Sequence, residues 1–466
     1  MRYISTRGTA PILDFQQVTL AGLARDGGLY LPESWPQLSP DQIAALRGAS
    51  YVDTAVAVMM PFIGATMTPA ELRALCVQAY GRFAHAGVTP LVQLDHRHWL
   101  LELFHGPTLA FKDVALQLLG LLFERFLTGT ERQLTVVGAT SGDTGSAAID
   151  ALAGRMGVDV FMLHPAGRVS DVQRRQMTTV LAPNIHNIAI DGSFDDAQAL
   201  VKAMFNDRAF SGRFALSAVN SINWARLMAQ VVYYFYAAVR LGAPERPVAF
   251  SVPTGNFGDV FAGYVAAKMG LPVAKLIVAT NVNDILHRAL STGTYAQGTV
   301  VATPSPSMDI QVSSNFERLL FDLGGRDGTA NAAQMHGFEA TRAMQLTDRQ
   351  RDGARALFAS DRVDLNDMAL AMRWAHECAG ETIDPHTAIG LSAARRAGLG
   401  ADVPVVTLAT AHPAKFRDAV ERATGARPVL PARVGDLFDR EERFATLPAT
   451  FAAVTDYVAA RATPAP

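Results

Sequence analysis

Segments with the pattern of strands alternate with segments with the pattern of helices over residues 98 to about 280. Apolar runs typical of strands lie at 134–138, 158–163, 185–190, 214–219, 248–252 and 275–279. Helical patterns lie between them at 144–154, 171–181, 194–205, 222–241 and 259–269. This alternation predicts an α/β fold with parallel sheets and helices on both faces. In such sheets ligands bind beyond the carboxyl ends of the strands, so the loops after the strands are the places to search.

The 466 residues are too many for one ordinary core, and changes of pattern divide the chain. We predict an N-terminal, mainly helical domain over 1–95, with helices near 15–23, 40–46, 51–60 and 69–80. An α/β core follows over 96–280 and includes a smaller lobe at about 130–220. We then predict a helical subdomain over 281–380 and a return to the larger lobe over 381–466, with a last parallel strand at 403–408.

Composition excludes several classes of function. The net charge is -2 and no block of Lys or Arg stands out, which argues against a nucleic-acid partner. Cys76 and Cys378 are far apart and have no metal-ligand spacing, so neither a disulfide framework nor a metal site is expected. The longest apolar run, 227–239, is too short to span a membrane, and the first residues lack a targeting pattern. We therefore predict a cytoplasmic protein.

Lys112 is a single lysine between an apolar patch and a long helical pattern. The turn Gly106-Pro107 leads into the patch, and the helical run covers 114–126. Burial disfavours the ammonium form and lowers the pKa of a lysine, which suits Schiff-base chemistry. The alternative is a lysine that extends to the surface from a buried helix end.

Two loops that open helices have the composition of anion sites. Residues 139–146 are small and rich in hydroxyls; the alternative there is an ordinary capped turn with Asp143 or Thr144 as the cap. In 253–259, Gly255 and Gly258 permit positive φ and close approach of the backbone to one phosphate, or form a plain glycine turn. Neither the dinucleotide fingerprint nor a Walker loop is present.

A lysine, two anion-ready loops and a hydroxyl at the end of the last strand, Thr410, together indicate pyridoxal phosphate. Its aldehyde requires a lysine and its phosphate requires main-chain donors. A dehydrogenase would need the absent fingerprint, and phosphoryl transfer would need an acidic metal-binding pair that the sequence lacks. For His386 and His412 we predict helix capping.

The segment 103–113, Leu-Phe-His-Gly-Pro-Thr-Leu-Ala-Phe-Lys-Asp, closely resembles the cofactor-lysine segment of the threonine synthase family in its bacterial and fungal form. The resemblance covers nearly the whole chain, through segments at 26–29, 141–145, 220–226, 255–259, 384–388 and 410–416. Related enzymes of fold type II usually carry Asn where this chain has Asp143, and Asp is typical of this branch. We therefore assign Asp143 no contact with the ring hydroxyl of the cofactor.

The resemblance implies fold type II of pyridoxal-phosphate enzymes, similar to the tryptophan synthase β subunit, with two lobes and an N-terminal helical domain. It implies conversion of O-phospho-L-homoserine and water to L-threonine and phosphate, the last step of threonine biosynthesis, by γ-elimination and β-addition of water. Lys112 would hold the cofactor and then act as the base at Cα and Cβ. The other cofactor-binding residues would be Gly255, Asn256, Phe257, Gly258, Asp259 and, beside the pyridine nitrogen, Thr410.

The substrate needs donors for its carboxylate and its phosphate. The resemblance implies Thr140, Ser141 and Thr144 at the carboxylate. Candidates for the phosphate are Arg226, Ser313, Ser314, Asn315 and Arg318, because a bidentate arginine suits phosphate. The alternative for the two arginines is an ion pair at the surface or between domains.

Two other functions remain open from the sequence. One is a serine/threonine dehydratase-type lyase with the same cofactor, which would need no substrate phosphate. The other is an anion-binding module in which Lys112 is only structural. We expect a monomer or a homodimer, and closure of the smaller lobe over the substrate.

Overall fold

The computed structural model describes residues 1–464, and strands and helices alternate through most of them. The strands are β1 Tyr3–Ser5, β2 Tyr30–Pro32, β3 Leu91–Gln93, β4 His98–Glu102, β5 Leu134–Ala139, β6 Val158–Pro165, β7 Ile185–Asp191, β8 Leu216–Ser217, β9 Val248–Pro253, β10 Val273–Thr280, β11 Thr294–Ala296, β12 Ala343–Gln345, β13 Phe358–Arg362, β14 Val405–Ala409 and β15 Ala445–Pro448.

The helices fall into the same order. They are α1 Phe15–Ala21, α2 Pro40–Ala44, α3 Tyr51–Ile63, α4 Pro69–Tyr80, α5 Lys112–Leu127, α6 Asp143–Leu152, α7 Asp171–Thr178, α8 Phe194–Asn206, α9 Arg208–Arg213, α10 Trp224–Arg240, α11 Gly258–Lys268, α12 Ile285–Thr292, α13 Phe316–Leu323, α14 Gly328–Thr341, α15 Asp348–Leu357, α16 Leu365–Cys378, α17 Pro385–Arg396, α18 Arg417–Thr424 and α19 Phe451–Ala459. Short 3₁₀ turns lie at Gly64–Thr66, Pro306–Met308, Pro413–Lys415 and Ala432–Phe438.

Two separate parallel sheets form the two lobes. The larger sheet has the order β13-β10-β9-β14-β4-β3, and only the pair β3–β4 is antiparallel. The smaller sheet has the order β15-β7-β6-β5-β8 and is parallel throughout. The prediction of parallel sheets is confirmed. The loops after β5, β9 and β14 are therefore at ligand-binding edges.

Two edge strands depart from the predicted course of the chain. β13 belongs to the region expected to be a helical subdomain, yet it pairs with β10 in the larger sheet. β15 belongs to the predicted return to the larger lobe, yet it pairs with β7 in the smaller sheet. Both strands cover an edge, and apart from the buried Phe358 their residues are half-buried or exposed, which leaves little apolar pattern to read.

The N-terminal helices begin where the sequence signals them. Asp14, Ser39 and Thr68 form capping boxes at α1, α2 and α4, and a proline occupies the first turn of α2 and α4. These helices and α3 match the predicted positions. Helices α1, α2 and α3 pack against α10, where the rings of Tyr51 and Tyr236 have centroids 5.0 Å apart, and α4 packs against α3 and α5.

Helix α10 is the central element of the core. Every residue from Trp224 to Val239 is buried. Trp224 packs against Tyr3 and Phe62, so the helix joins the N-terminal domain to the larger lobe. The start of α10 carries Arg226. No helix within residues 1–464 has the length and apolar character needed to cross a membrane.

Candidate active site

Backbone pairing places Lys112 beside the end of β14. The N–H of Phe111 donates to the carbonyl of Thr410 at 2.8 Å, and the N–H of His412 donates to the carbonyl of Leu109 at 3.0 Å. Lys112 is therefore the first residue of α5 and adjoins the Thr410 segment. The Thr410 side chain forms no hydrogen bond to any other residue in 1–464, so its hydroxyl is free for a ligand.

The turn before Lys112 is held by the buried Asp113 carboxylate. It accepts hydrogen bonds from the N–H of Thr108 at 2.8 Å and from the Thr108 hydroxyl at 2.7 Å. Leu109 adopts φ of 64°, a left-handed conformation that a leucine rarely takes. Burial raises the pKa of Asp113 to about 6, although the hydrogen bonds from Thr108 oppose this.

Asp143 lies between two lysines. Its Oδ2 is 3.5 Å from Nζ of Lys112, and its Oδ1 is 2.8 Å from Nζ of Lys415. The amide of Gln173 also donates to Oδ1 at 2.8 Å. Burial acts to raise the pKa of Asp143, but the two ammonium groups, with His386, outweigh it and hold that pKa well below its ordinary value.

The Lys112 side chain is buried, and the expected effect on its pKa is confirmed. Burial lowers the pKa, the Asp143 carboxylate raises it, and the positive charges of Lys415 and Arg226 lower it again, with a net shift downward. The alternative of a lysine that extends to the surface is wrong, because only 10% of the side chain is exposed.

Ser307 stands next to the lysine and was not identified from sequence. Its Oγ is 3.5 Å from Nζ of Lys112 and 3.4 Å from Oδ2 of Asp143. Its N–H donates to Nε2 of His386 at 3.4 Å, and Nδ1 of His386 pairs with Asp384 at 2.6 Å. The expectation of capping is wrong for His386, because Asp384 caps α17, and right for His412, which accepts from the N–H of Ala414.

The glycine loop after β9 presents a row of free main-chain donors. Among residues 1–464, none of the N–H groups of Gly255, Asn256, Phe257 and Gly258 donates to a protein acceptor. The positive φ, 63°, belongs to Phe257 and not to either glycine, contrary to expectation. Gly255 is instead required for space, because a Cβ atom there would lie 2.5 Å from the carbonyl oxygen of Ser307.

The segment 313–315 packs against the glycine loop. Ser313 donates its hydroxyl to the carbonyl of Gly255 at 2.7 Å, and Asn315 donates its amide to the carbonyl of Asn256 at 3.0 Å. Ser314 is half-buried and lines a cavity of about 240 Å³ near Arg7 and Phe338. The structure therefore engages Ser313 and Asn315 in supporting the loop, because their polar groups are already bonded to it.

The Asp259 side chain points away from the loop. Its Oδ1 accepts hydrogen bonds from the hydroxyls of Tyr233 and Tyr234, at 2.5 Å and 3.1 Å. Burial raises the pKa of Asp259 to about 7, and the two tyrosines only partly offset this. Asp259 was predicted to bind the cofactor, but with this side-chain orientation only its main chain can do so.

The loop after β5 carries a second set of free donors. Thr140 turns inward, and its Oγ1 accepts from the N–H groups of Gly142 and Gly145, both at 2.9 Å. Within residues 1–464, the N–H groups and hydroxyls of Ser141 and Thr144 have no protein partner. The alternative of Asp143 or Thr144 as an ordinary cap is wrong, because the cap position is Gly142 and no side chain caps it.

The two candidate arginines differ in what they bind. Arg318 donates to the carbonyls of Tyr30 and Ile222 and to Asn315. Among the residues that the structure describes, Arg226 donates once, to the carbonyl of Val219 at 2.8 Å, and its Nε has no partner. Burial lowers the pKa of Arg226 to about 10 and that of Arg318 to about 9. Both are buried and neither pairs with a carboxylate within 1–464, so the ion-pair alternative is wrong for both.

These residues fit pyridoxal phosphate. A buried lysine with a lowered pKa suits the aldehyde, and the free N–H groups of 255–258 suit a phosphate. The absence of a side chain at Gly255 lets this loop pack against Ser307 with those N–H groups free. The Thr410 hydroxyl is available to a ring nitrogen. When bound, this cofactor supplies an electron sink for carbanions at the substrate.

Comparisons with known proteins agree with this site. Family models described as "Threonine synthase N terminus", "Pyridoxal-phosphate dependent enzyme" and "Threonine synthase, C-terminal" match residues 2–80, 83–351 and 387–458. Threonine synthase of Pseudomonas aeruginosa is 55% identical over 98% of both chains. The chain belongs to the threonine synthase family. It is accordingly a pyridoxal-phosphate-dependent lyase of fold type II.

Solved structures of threonine synthases share the whole fold. The pyridoxal-phosphate-bound threonine synthase of Brucella melitensis superposes with a TM-score of 0.96 at 52% identity and covers 99% of both chains. The yeast threonine synthase has a TM-score of 0.93 at 40% identity and covers 98% of both. Both lobes and the N-terminal domain thus belong to the architecture of the threonine synthases.

Sequence reasoning missed Lys415, Ser307 and Gln173. Lys415 lies in the segment 410–416, where one cation among apolar residues was the only local sign. Ser307 lies in an irregular loop, and Gln173 lies in a polar helix with no distinguishing pattern. Their importance depends on Asp143, which the fold alone brings to them.

Proposed function

We propose that this enzyme converts O-phospho-L-homoserine and water to L-threonine and phosphate. The observation that supports this most directly is the pair of basic groups at the site, Lys112 with a lowered pKa and Arg226, which has no carboxylate partner within residues 1–464. The first suits the cofactor and the second suits an additional anion, the phosphate of the substrate.

Lys112 is the residue that moves protons. Its neutral amine removes a proton from Cα and then one from Cβ, and later returns a proton to Cα. The negative charge of Asp143 and the nearby Ser307 hydroxyl orient the amine between these steps. Phosphate leaves from Cγ, and the second proton held by the amine passes to Cγ, which becomes the methyl group of the product. Water adds its hydroxyl at Cβ, and its remaining proton goes to the released phosphate.

Separate groups hold the two ends of the substrate. The free N–H groups and hydroxyls of Ser141 and Thr144 bind the carboxylate, and Thr140 orders that loop from within. Arg226 binds the substrate phosphate through Nε and its free guanidinium hydrogens. We reassign Ser313 and Asn315 to support of the glycine loop, and Ser314 and Arg318 to structural roles.

The glycine loop and Thr410 hold the cofactor. The N–H groups of 255–258 bind its phosphate, and the Thr410 hydroxyl faces its ring nitrogen. A neutral hydroxyl does not enforce protonation of that nitrogen as a carboxylate would. A ring nitrogen that is not forced to be protonated favours elimination and addition on the substrate over transamination.

The deciding assay is release of phosphate from O-phosphohomoserine with identification of threonine as the product. Free serine and threonine are the control substrates, because a dehydratase would convert them to keto acids. We expect phosphate and threonine from the first substrate. Keto acid from the free amino acids, without phosphate release from the first, would contradict the proposal. Lys112→Ala should lose both the activity and the absorbance of the lysine-bound cofactor.

We also propose the division of the chain near residues 95, 280 and 380, a cytoplasmic location, and a monomer or homodimer. Closure of the smaller lobe over the substrate is part of this proposal, because the Ser141 loop belongs to the smaller sheet and the glycine loop to the larger. Small-angle scattering with and without a substrate analogue measures both mass and closure. Identical profiles would contradict closure.

A further inference from the structure

Lys415 is a fully buried ammonium group outside the set of residues assigned above. Its side chain is 0% exposed, and Nζ lies 2.8 Å from Oδ1 of Asp143. The same Nζ donates to the carbonyl of Thr108 at 2.8 Å. A buried cation is costly unless it is paired, and Lys415 is paired with this carboxylate.

The same carboxylate also faces Lys112, and the two contacts are unequal. Lys112 reaches only Oδ2, at 3.5 Å, and Lys415 reaches Oδ1 at 2.8 Å. Charge interaction weakens with distance, so one negative charge compensates the nearer cation more fully. Lys112 is left as the cation with less compensation.

We propose that Lys415 is a positioning residue that occupies the Asp143 carboxylate, so that Lys112 is the lysine able to give up its proton. The proposal rests on the proposed function in one respect, that Lys112 is the lysine which binds the cofactor. Lys415 contacts the Asp143 carboxylate, and as a nearby positive charge it also disfavours the Lys112 ammonium directly.

The other charged groups around Lys112 either disfavour its ammonium form, as Lys415 does, or interact with the Asp143 carboxylate. Arg226 repels the Lys112 ammonium, and His386 acts on Asp143. Gln173 and Ser307 contact the carboxylate as neutral groups. Within residues 1–464, Asp143 is thus the one carboxylate that favours the Lys112 ammonium, and Lys415 is the nearest cation that competes for it.

The consequence is a faster capture of the cofactor. A neutral Lys112 amine forms a C–N bond to the aldehyde carbon of pyridoxal phosphate, and the aldehyde oxygen leaves as water with the two amine hydrogens. Only the unprotonated fraction of Lys112 can start this reaction. The pH at which capture reaches half its maximal rate therefore reports on the protonation of Lys112.

The test uses the full-length chain freed of cofactor and mixed with pyridoxal phosphate across a pH series. The measured quantity is the rate at which the absorbance of lysine-bound cofactor rises. In Lys415→Met, Lys112 is the one lysine that remains paired with Asp143. We expect the midpoint pH of cofactor capture to rise by about one pH unit. Below the midpoint, capture should then be about tenfold slower than in the unaltered chain.

Three further variants separate this role from a structural one. Lys415→Met with Asp143→Asn removes both charges, and its midpoint should return to the original value or below. Lys415→Arg keeps the charge and should keep the original midpoint. Lys275→Met is the matched control, because Lys275 also donates to main-chain carbonyls, those of Arg355 and Ala356, but at the protein surface.

An unchanged midpoint in Lys415→Met would overturn the proposal, as would a raised midpoint that persists without the Asp143 carboxylate. A merely structural lysine would lower the amplitude of capture and leave the midpoint where it is. If Lys415→Met does not fold, Asp143→Asn decides alone: its midpoint must fall, and a constant or higher one overturns the proposal. No absorbance rise in the unaltered chain would instead contradict the proposed function.

Discussion

The carbonyl oxygen of Ser307 lies 2.5 Å from the position that a Cβ atom on Gly255 would occupy. The loop that carries Ser307 beside Lys112 is therefore in contact with the loop that offers its N–H groups to a phosphate. Any side chain at residue 255 must move one of the two backbones.

The substitution Gly255→Ala tests this contact. The added methyl group would meet main-chain atoms of Ser307 and Met308, which cannot turn aside as a side chain can, so the glycine loop is displaced. Overpacking of this kind costs about 1–3 kcal/mol of folding free energy. We expect the Kd for pyridoxal phosphate to rise about tenfold or more. Titration of the cofactor absorbance measures this. Gly48→Ala is the control, since a Cβ atom there meets nothing within 4 Å. Equal affinities in the two variants would contradict the prediction.

Arg226→Met and Arg318→Met form a matched pair of buried arginine substitutions. Arg226 makes one protein hydrogen bond, to the carbonyl of Val219, so its loss should lower the melting temperature less than loss of Arg318 and lower kcat/KM for O-phosphohomoserine about a hundredfold. Arg318 is bonded to three protein acceptors, so its loss should lower the melting temperature by several degrees. Thermal unfolding and initial rates provide both measurements. The assignment of Arg226 fails if its variant loses stability and keeps its kcat/KM.

Thr410→Val should impair the cofactor environment and leave the fold intact. The isosteric change keeps the main-chain bond from Phe111 and removes only the free hydroxyl. We expect a shifted absorbance maximum of the bound cofactor and about a tenfold loss of kcat. Thr407→Val is the control from β14, the strand that ends just before Thr410, because the buried Thr407 hydroxyl has no partner within residues 1–464 and its removal should not reduce stability. An unaltered spectrum in Thr410→Val would count against the contact.

Asp259 should make the protein less stable as the pH rises. Its pKa is raised to about 7 in the folded protein, so the folded state binds a proton that the unfolded state releases at lower pH. Stability therefore falls between the ordinary aspartate pKa and about 7, by up to about 1.4 kcal/mol per pH unit. Asp113 contributes with the same sign up to about 6.

Asp259→Asn should remove its part of this pH dependence. The melting temperature of the variant relative to the unaltered protein should increase as the pH rises through this window. Asp352→Asn is the control, since Asp352 is exposed on α15. A constant difference across the pH series would show that Asp259 does not hold the extra proton.

Local pattern was sufficient for most of the fold. The boundaries of α4 and α10 and the strands β5, β6 and β9 follow from capping residues and apolar runs, because those signals depend on neighbours in the chain. β13 and β15 were not predicted, because an edge strand buries little of its surface and so carries a weak apolar pattern. Which sheet such a strand joins depends on the partner that needs covering.

The sequence by itself was enough to select Lys112, the glycine loop and the Thr410 segment as candidate cofactor-binding residues, since each is a local arrangement with a recognisable composition. Only the tertiary structure decided that Asp143 would meet two lysines and that Lys415 would hold it more closely. It likewise decided that Ser313 and Asn315 would support the loop while Arg226 kept a free donor. The physical reason is that the pKa and the hydrogen bonds of a buried polar group depend on partners brought from distant segments, and residue type alone does not specify which partner lies nearest.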